Sequence, residues 1–103
     1  MTTGPAPPVA PPVELDASRL EATRGPLTVS LTPSQFTVLS ALVGARGAVV
    51  RREELGHLLW GPSGDRSDNA LEVHVSALRR KLDDPLHVRT IVAVYGLGYR
   101  LAD

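Results

Sequence analysis

Residues 68–82 read DNALEVHVSALRRKL and are the most informative segment of the chain. Its apolar residues recur at the spacing of one face of an α-helix: Leu71, Val75, Leu78 and Leu82. Such a stripe has to pack against other helices, so the pattern predicts an amphipathic helix from Asn69 to about Leu82. Ser67 or Asp68 is the expected N-cap, and residues 83–85, Asp-Asp-Pro, are the expected stop.

The side of this helix opposite the apolar stripe is polar. It carries Asn69, Glu72, Val73, Ser76 and Arg80, and it is flanked by His74, Arg79 and Lys81. A helix with this face can enter the major groove of DNA, because small residues allow close approach and basic residues meet phosphates. The alternative is an ordinary solvated amphipathic helix, since charge runs of this size are common on exposed faces.

Another helix is predicted after Leu31. Thr32 can act as N-cap, Pro33 suits the first helical position, and Gln35 completes a capping box. Apolar residues follow at helical spacing: Phe36, Val38, Leu39, Leu42 and Val43. Gly47 offers a left-handed residue at which this helix can stop.

A second, shorter helix is expected from Arg51 to Leu59. Its buried residues should be Leu55, Leu58 and Leu59. Arg51 stands where Ser or Thr would be preferred, so its start is poorly capped, at a cost of about 1 kcal/mol.

Short strands are predicted on both sides of the helices. Apolar and polar residues alternate from Val13 to Leu31, interrupted by turn residues, which indicates a small antiparallel sheet of about three strands. Residues 91–101 combine β-branched residues with a tip that contains Gly96 and Gly98, which predicts a hairpin in which both glycines can take a positive φ. Residues 1–12 hold five prolines and are expected to form a disordered arm or linker before a domain of residues 13–103.

Composition narrows the class of protein. A chain of 103 residues is expected to form one domain. Its eleven basic residues balance its eleven acidic ones, so any electrostatic function has to come from the local pattern of charges. The absence of cysteine excludes a disulfide framework and a thiolate metal site. With neither a long apolar run nor a signal-peptide pattern, a cytoplasmic protein that does not contact a membrane is expected.

Enzymatic chemistry is not indicated. His57, His74 and His87 lie on separate elements without metal-ligand spacing, and residues 61–64 lack the lysine and spacing of a phosphate-binding loop. The sequence therefore predicts no enzyme, no cofactor and no metal.

The order of the elements defines the fold class. Three helices followed by a glycine-tipped hairpin form a winged helix-turn-helix of the α+β class, with the short antiparallel sheet in front of them. The sequence resembles the effector domain of OmpR/PhoB-type response regulators, the transcription regulators of two-component systems, from Val13 to Leu101. The residues that carry the resemblance are 31–33, 47–55, 60–61, 68–82 and 95–101.

The resemblance implies a transcription regulator that binds double-stranded DNA. The third helix, about 69–82, is then expected in the major groove, and the hairpin wing, about 91–101, at the adjacent minor groove. Trp60, His74, Arg79 and Tyr99 match positions that contact the DNA backbone, and Glu72 matches an acidic position that can accept from a cytosine amino group. The complete set of expected DNA-binding residues is Trp60, Arg66, Asn69, Glu72, Val73, His74, Ser76, Ala77, Arg79, Arg80, Tyr95, Gly96 and Tyr99.

Two of the expected DNA contacts have a structural alternative. Trp60 could instead close the core, and Tyr99 could be a packed aromatic of the hairpin.

The loop 61–67, which includes Arg66, matches the loop that touches RNA polymerase in activators of this family. A homodimer on DNA is also compatible with the resemblance.

The sequence also departs from the family. Arginine is frequent at the positions of Ala77 and Tyr95, and basic residues are frequent near Asn69 and Ser76. Fewer cations predict weaker binding of a monomer to the phosphates. The missing base-reading arginine predicts a different or less strict target sequence. A winged-helix module that binds a protein partner is therefore the alternative function. Because no receiver domain is recognised, the chain is expected to be a regulator that lost its sensor, a piece of a longer protein, or a stand-alone domain.

Overall fold

The computed structural model describes residues 12–61 and 68–102. It begins with a three-stranded antiparallel sheet in the order β1-β2-β3, formed by Val13–Asp16, Glu21–Arg24 and Leu27–Ser30. Ala22 on the central strand is fully buried and stands opposite Leu15 on one side and Val29 on the other. The predicted N-terminal sheet is confirmed, whereas residues 1–11 of the predicted arm lie outside the described part of the chain.

Helix α1 spans Pro33–Gly44 and begins as predicted. The Thr32 hydroxyl accepts from the Gln35 amide at 3.1 Å, and the Gln35 side chain accepts from the Thr32 amide at 3.0 Å, which completes the capping box. The helix ends three residues before Gly47, because Arg46 already takes the left-handed conformation with φ 53°, followed by Gly47 with φ 90°.

Helix α2 spans Arg52–Trp60 and starts without a side-chain cap, as the sequence indicates. The expectation that Leu58 is buried is wrong: its side chain is 53% exposed, while Leu55 is fully buried. The buried face of this short helix is narrow and runs through Leu55 and the half-buried Leu59, which are one turn apart.

Helix α3 spans Asp68–Leu78 and continues through a π-helical turn, Arg79–Asp83, into a 3₁₀ turn, Asp84–Leu86. The chain leaves this segment at His87, which takes the left-handed conformation with φ 54°. The predicted stripe is confirmed, because every member is at most 3% exposed: Leu71, Val75, Leu78 and Leu82.

The predicted hairpin consists of β5, Ile91–Val94, and β6, Gly98–Leu101. A two-residue strand that the sequence did not indicate, β4 at Val50–Arg51, pairs with β6, so that the second sheet has the order β4-β6-β5. Gly96 has the expected positive φ of 76°. Gly98 is required for a different reason, since a Cβ there would overlap the Val50 carbonyl oxygen and lie 2.9 Å from the Arg51 Cα.

The core lies between α1, α3 and the two sheets. Its largest fully buried side chains come from the three helices and β5: Val38, Leu39, Leu42, Leu55, Val75, Leu78, Leu82 and Ile91. Among the described residues, no helix combines the length and apolarity needed to cross a membrane.

Candidate nucleic-acid interface

The polar side of α3 and of the π-helical turn that continues it forms one continuous exposed surface, which we call the front face. Its five residues are those that the helical spacing predicts, and all are exposed: Asn69, Glu72, Val73, Ser76 and Arg80. They line a shallow open depression of about 360 Å³. The front face therefore offers an amide, a carboxylate, a hydroxyl and a guanidinium around Val73, which is 62% exposed. The buried stripe behind it holds the helix against the core.

Arg52 connects the front face with the wing. Its Nη2 atom donates to the Glu72 Oε2 atom at 3.5 Å, and its guanidinium carbon lies 5.7 Å from the centre of the Tyr99 ring. Its backbone N–H donates to the Leu97 carbonyl oxygen at 3.0 Å, which fixes the start of α2 against the wing. Nothing in the sequence singles out Arg52 for this role within the helix predicted from Arg51 to Leu59.

Tyr99 is part of the core and is only 3% exposed. This burial favours the packed-aromatic alternative over a phosphate contact. Trp60 is half-buried and packs against the core, and its backbone contact with DNA stays a prediction. His74 and Ala77 are half-buried beside the front face.

Two of the three cations at the end of the third helix bond to the protein itself. The Arg79 Nε and Nη2 atoms donate to the Ile91 carbonyl oxygen at 3.0 and 2.8 Å. Lys81 Nζ donates to the Ser30 carbonyl oxygen and to Gln35 Oε1, both at 2.7 Å. Of the predicted basic end, Arg80 is the residue that lies on the front face.

The tip of the wing is open to solvent. Tyr95 is completely exposed, and Leu97 beside it is 42% exposed. Gly96 between them is exposed as well, and no heavy atom of the described residues lies within 4 Å of where its Cβ would stand, so the backbone is accessible there. Arg66, the remaining predicted contact, lies outside the described residues.

A buried polar cluster lies where β2, the end of the third helix and the wing meet. Arg24 Nη1 donates to Asp83 Oδ1 at 2.9 Å and to the Leu82 carbonyl oxygen at 3.1 Å, and Arg24 Nη2 donates to Thr90 Oγ1 at 2.7 Å. The second oxygen of Asp83 accepts the backbone N–H groups of Thr90 and Ile91 at 3.0 and 3.1 Å. Arg24 and Asp83 are each 2% exposed.

This cluster keeps Asp83 ionised. Burial alone would raise the pKa of this carboxyl group, but the hydrogen bonds from Thr90, Ile91 and Arg24 outweigh burial and hold the pKa below its ordinary value. Sequence reasoning missed the cluster because Arg24 looked like a turn residue and Asp83 like a helix stop. Among the described residues, no group of three or more His, Cys, Asp and Glu side chains could hold a metal ion.

Comparison with known proteins agrees with this architecture. The family model described as "Transcriptional regulatory protein, C terminal" matches residues 26–101. The transcriptional regulatory protein CutR of Streptomyces coelicolor is 40% identical over 102 residues, which are 97% of this chain and 46% of that protein. The chain thus spans about half the length of this curated relative.

Solved structures give the same result. The DNA-binding domain of CpxR from E. coli superimposes with a TM-score of 0.73 at 33% identity, over 93% of this chain and 96% of that one. The DNA-binding domain of Klebsiella pneumoniae RstA, solved in complex with the RstA box, gives a TM-score of 0.74 at 27% identity, over 91% and 94% of the two chains. The chain therefore belongs to the family of C-terminal effector domains of OmpR/PhoB-type response regulators, winged helix-turn-helix domains that bind DNA and regulate transcription.

Proposed function

We propose that the chain binds double-stranded DNA with the front face of α3 in the major groove and the β5–β6 wing at the adjacent minor groove. The observation that carries this proposal is that all five front-face residues are exposed together on a helix whose opposite side is buried in the core. A rigid exposed helix is what major-groove recognition requires, because base edges are read at fixed distances.

The front face has the groups needed to read base edges. Glu72 can accept from the amino group of cytosine, and Asn69 can pair with the two major-groove atoms of adenine. Val73 suits the methyl group of thymine, and the small Ser76 lets the helix approach closely. Because Arg52 lies 3.5 Å from Glu72, it can hold this carboxylate in place while the base is bound.

Backbone contacts are expected to be few. Arg80 on the front face is the principal cation, supported by His74 and by Trp60 near the end of α2. Since Arg79 and Lys81 bond to the protein, Arg80 and the loop residue Arg66 are the arginines that remain in the expected set. They neutralise about two phosphates per domain, which corresponds to a slope of log affinity against log salt of roughly −2.

The test has two stages. Duplexes with a randomised centre are first selected on the wild-type domain, and the enriched duplex is then titrated at a series of salt concentrations. We expect an enriched sequence and a negative slope. The absence of both would contradict the proposal and favour the protein-interaction module.

A pair of single variants locates the contact. Arg80→Ala should weaken binding to every duplex and flatten the salt slope by about one unit. Ser40→Ala is the control, because Ser40 is an exposed helical residue of α1 and is not part of the front face. An unchanged slope in Arg80→Ala would remove Arg80 from the interface.

Two further partners are proposed on the family resemblance. We propose that the loop 61–67 contacts RNA polymerase, and that two copies bind DNA together. Asp65→Ala should then lower transcription without weakening DNA binding, because Asp65, unlike Arg66, is not among the expected DNA-binding residues. The selected duplexes should contain two half-sites at a spacing near one helical turn, about 10 base pairs. Intact transcription in Asp65→Ala would contradict the polymerase contact, and a single half-site would contradict the dimer.

A further inference from the structure

The outer edge of the wing is held by side chains of the third helix. In the sheet order β4-β6-β5, strand β5 has a β neighbour among the described residues on one side only. Both backbone hydrogen-bonding groups of Ile91 bond to side chains on its other side. The Ile91 carbonyl oxygen accepts two hydrogen bonds from Arg79, at 3.0 and 2.8 Å. The Ile91 N–H donates to Asp83 Oδ2 at 3.1 Å.

Arg79 and Asp83 belong to the same π-helical turn, Arg79–Asp83, that follows α3 directly. Asp83 is fixed in turn by the buried Arg24, and Arg79 immediately precedes Arg80 of the front face. The base of the wing is therefore attached at two points to the helical segment that presents the front face. Because the planar guanidinium of Arg79 places two donors on the Ile91 carbonyl oxygen, it fixes both the direction and the distance of this strand relative to the helical turn.

We propose that Arg79 is a positioning residue for DNA recognition: it sets the wing relative to α3 so that both grooves are engaged at once. This inference rests on the proposed function, and it replaces the phosphate contact that the sequence predicts for Arg79. Two binding elements on one rigid body reinforce each other only when their geometry matches the two sites. Loosening the wing should therefore remove what the wing adds to the affinity for DNA and leave what the front face adds.

The experiment compares two duplexes made from a single half-site of the sequence selected by the wild-type domain, so that only one copy binds either duplex. The long duplex extends about ten base pairs, one helical turn, beyond the part covered by α3, and the short duplex ends at that part. The ratio of the two affinities measures what the wing adds, and we expect roughly tenfold for the wild type. A lower folded fraction weakens both affinities equally, so a purely structural role of Arg79 would not change this ratio.

Arg79→Gln and Arg79→Lys are the decisive variants. If Arg79 positions the wing, both variants should reduce the ratio to about twofold or less, although lysine keeps the charge, because neither side chain has the guanidinium fork. Arg80→Gln is the matched control at the neighbouring position. It should weaken binding to both duplexes by the same factor and leave the ratio at the wild-type value.

A second test measures hydrogen exchange of the Arg79 side chain in the wild-type domain. The Arg79 Nε–H group should exchange slowly with solvent in the free domain and in the complex with the long duplex, because it donates to Ile91 in both. Rapid exchange in either state overturns the inference.

The outcomes separate the two proposals. Failure of the wild type to bind either duplex contradicts the proposed function. Binding with equal affinity for both duplexes, or an unchanged ratio in Arg79→Gln and Arg79→Lys, leaves the proposed function standing and overturns the role of Arg79.

Discussion

Arg24 and Asp83 are 59 positions apart in the chain and form a buried ion pair, with Arg24 Nη1 2.9 Å from Asp83 Oδ1. The pair joins the N-terminal sheet to the end of the third helix, and Thr90 joins both to the base of the wing. All three parts of the fold thus meet at one hydrogen-bonded cluster. Because both charges are removed from water, the loss of either one would leave the other buried without a counter-charge and would destabilise the fold.

Removal of Asp83 should destabilise the domain strongly. Asp83→Ala leaves the Arg24 guanidinium buried without its counter-charge and leaves two backbone N–H groups without an acceptor, at a cost of about 3–5 kcal/mol in the free energy of unfolding. Urea denaturation followed by circular dichroism measures this. Asp84→Ala, at the exposed neighbouring position, should change stability by no more than about 0.5 kcal/mol. Equal effects of the two substitutions would contradict the role of the cluster.

The stability should also depend on pH through Asp83. Because the folded state holds the pKa of this carboxyl group below its unfolded value, its contribution is fully present above the unfolded value of about 4 and is lost as the pH falls through the folded pKa. The difference in unfolding free energy between the wild type and Asp83→Asn should therefore shrink between about pH 5 and the folded pKa. A difference that stays constant down to acid unfolding would show that Asp83 is not the titrating group.

Gly98 should tolerate no side chain. In Gly98→Ala the added methyl group overlaps the Val50 carbonyl oxygen and lies 3.0 Å from the Arg52 backbone nitrogen, so β4 has to move away from β6. We expect a loss of about 1–3 kcal/mol in thermal or urea unfolding. Gly44→Ala is the contrasting substitution, because no heavy atom lies within 4 Å of the added group in α1, and it should stabilise by about 0.5–1 kcal/mol. Destabilisation of similar size in both variants would contradict the close approach.

Tyr95 at the wing tip should make the domain indifferent to the flanking sequence. Its side chain is fully exposed and neutral, so it gains nothing from the negative potential of a narrow A·T-rich minor groove. Tyr95→Arg should tighten binding by about 1 kcal/mol, mainly on A·T-rich flanks. Affinities of both proteins for paired duplexes that differ only in the flank test this. Strong discrimination by the wild type, or no gain in the variant, would contradict the expected wing geometry.

Local signals in the sequence were sufficient for the three helices, the N-terminal sheet, the wing and the front face. The capping box of Thr32 and Gln35 and the buried stripe from Leu71 to Leu82 depend on neighbours within one or two helical turns, and the structure confirms both. The same periodicity that assigns the stripe to the core assigns Glu72 and Arg80 to the exposed side. Strand β4 escaped prediction because its two residues have no period of their own and are extended by pairing with Tyr99 and Gly98.

The sequence alone therefore determined the order of the elements, the winged-helix class and the exposed recognition surface, because helical periodicity and turn chemistry act between residues close in the chain. The roles of the charged residues depend on the folded structure. In the sequence Arg24 looks like a turn residue, Asp83 like a helix stop and Arg79 like a phosphate contact. Their partners in the structure are 59 and 12 positions away. No periodicity relates such distant residues, and the free energy of a charge is set by its burial and its partners, which exist only once the chain has folded.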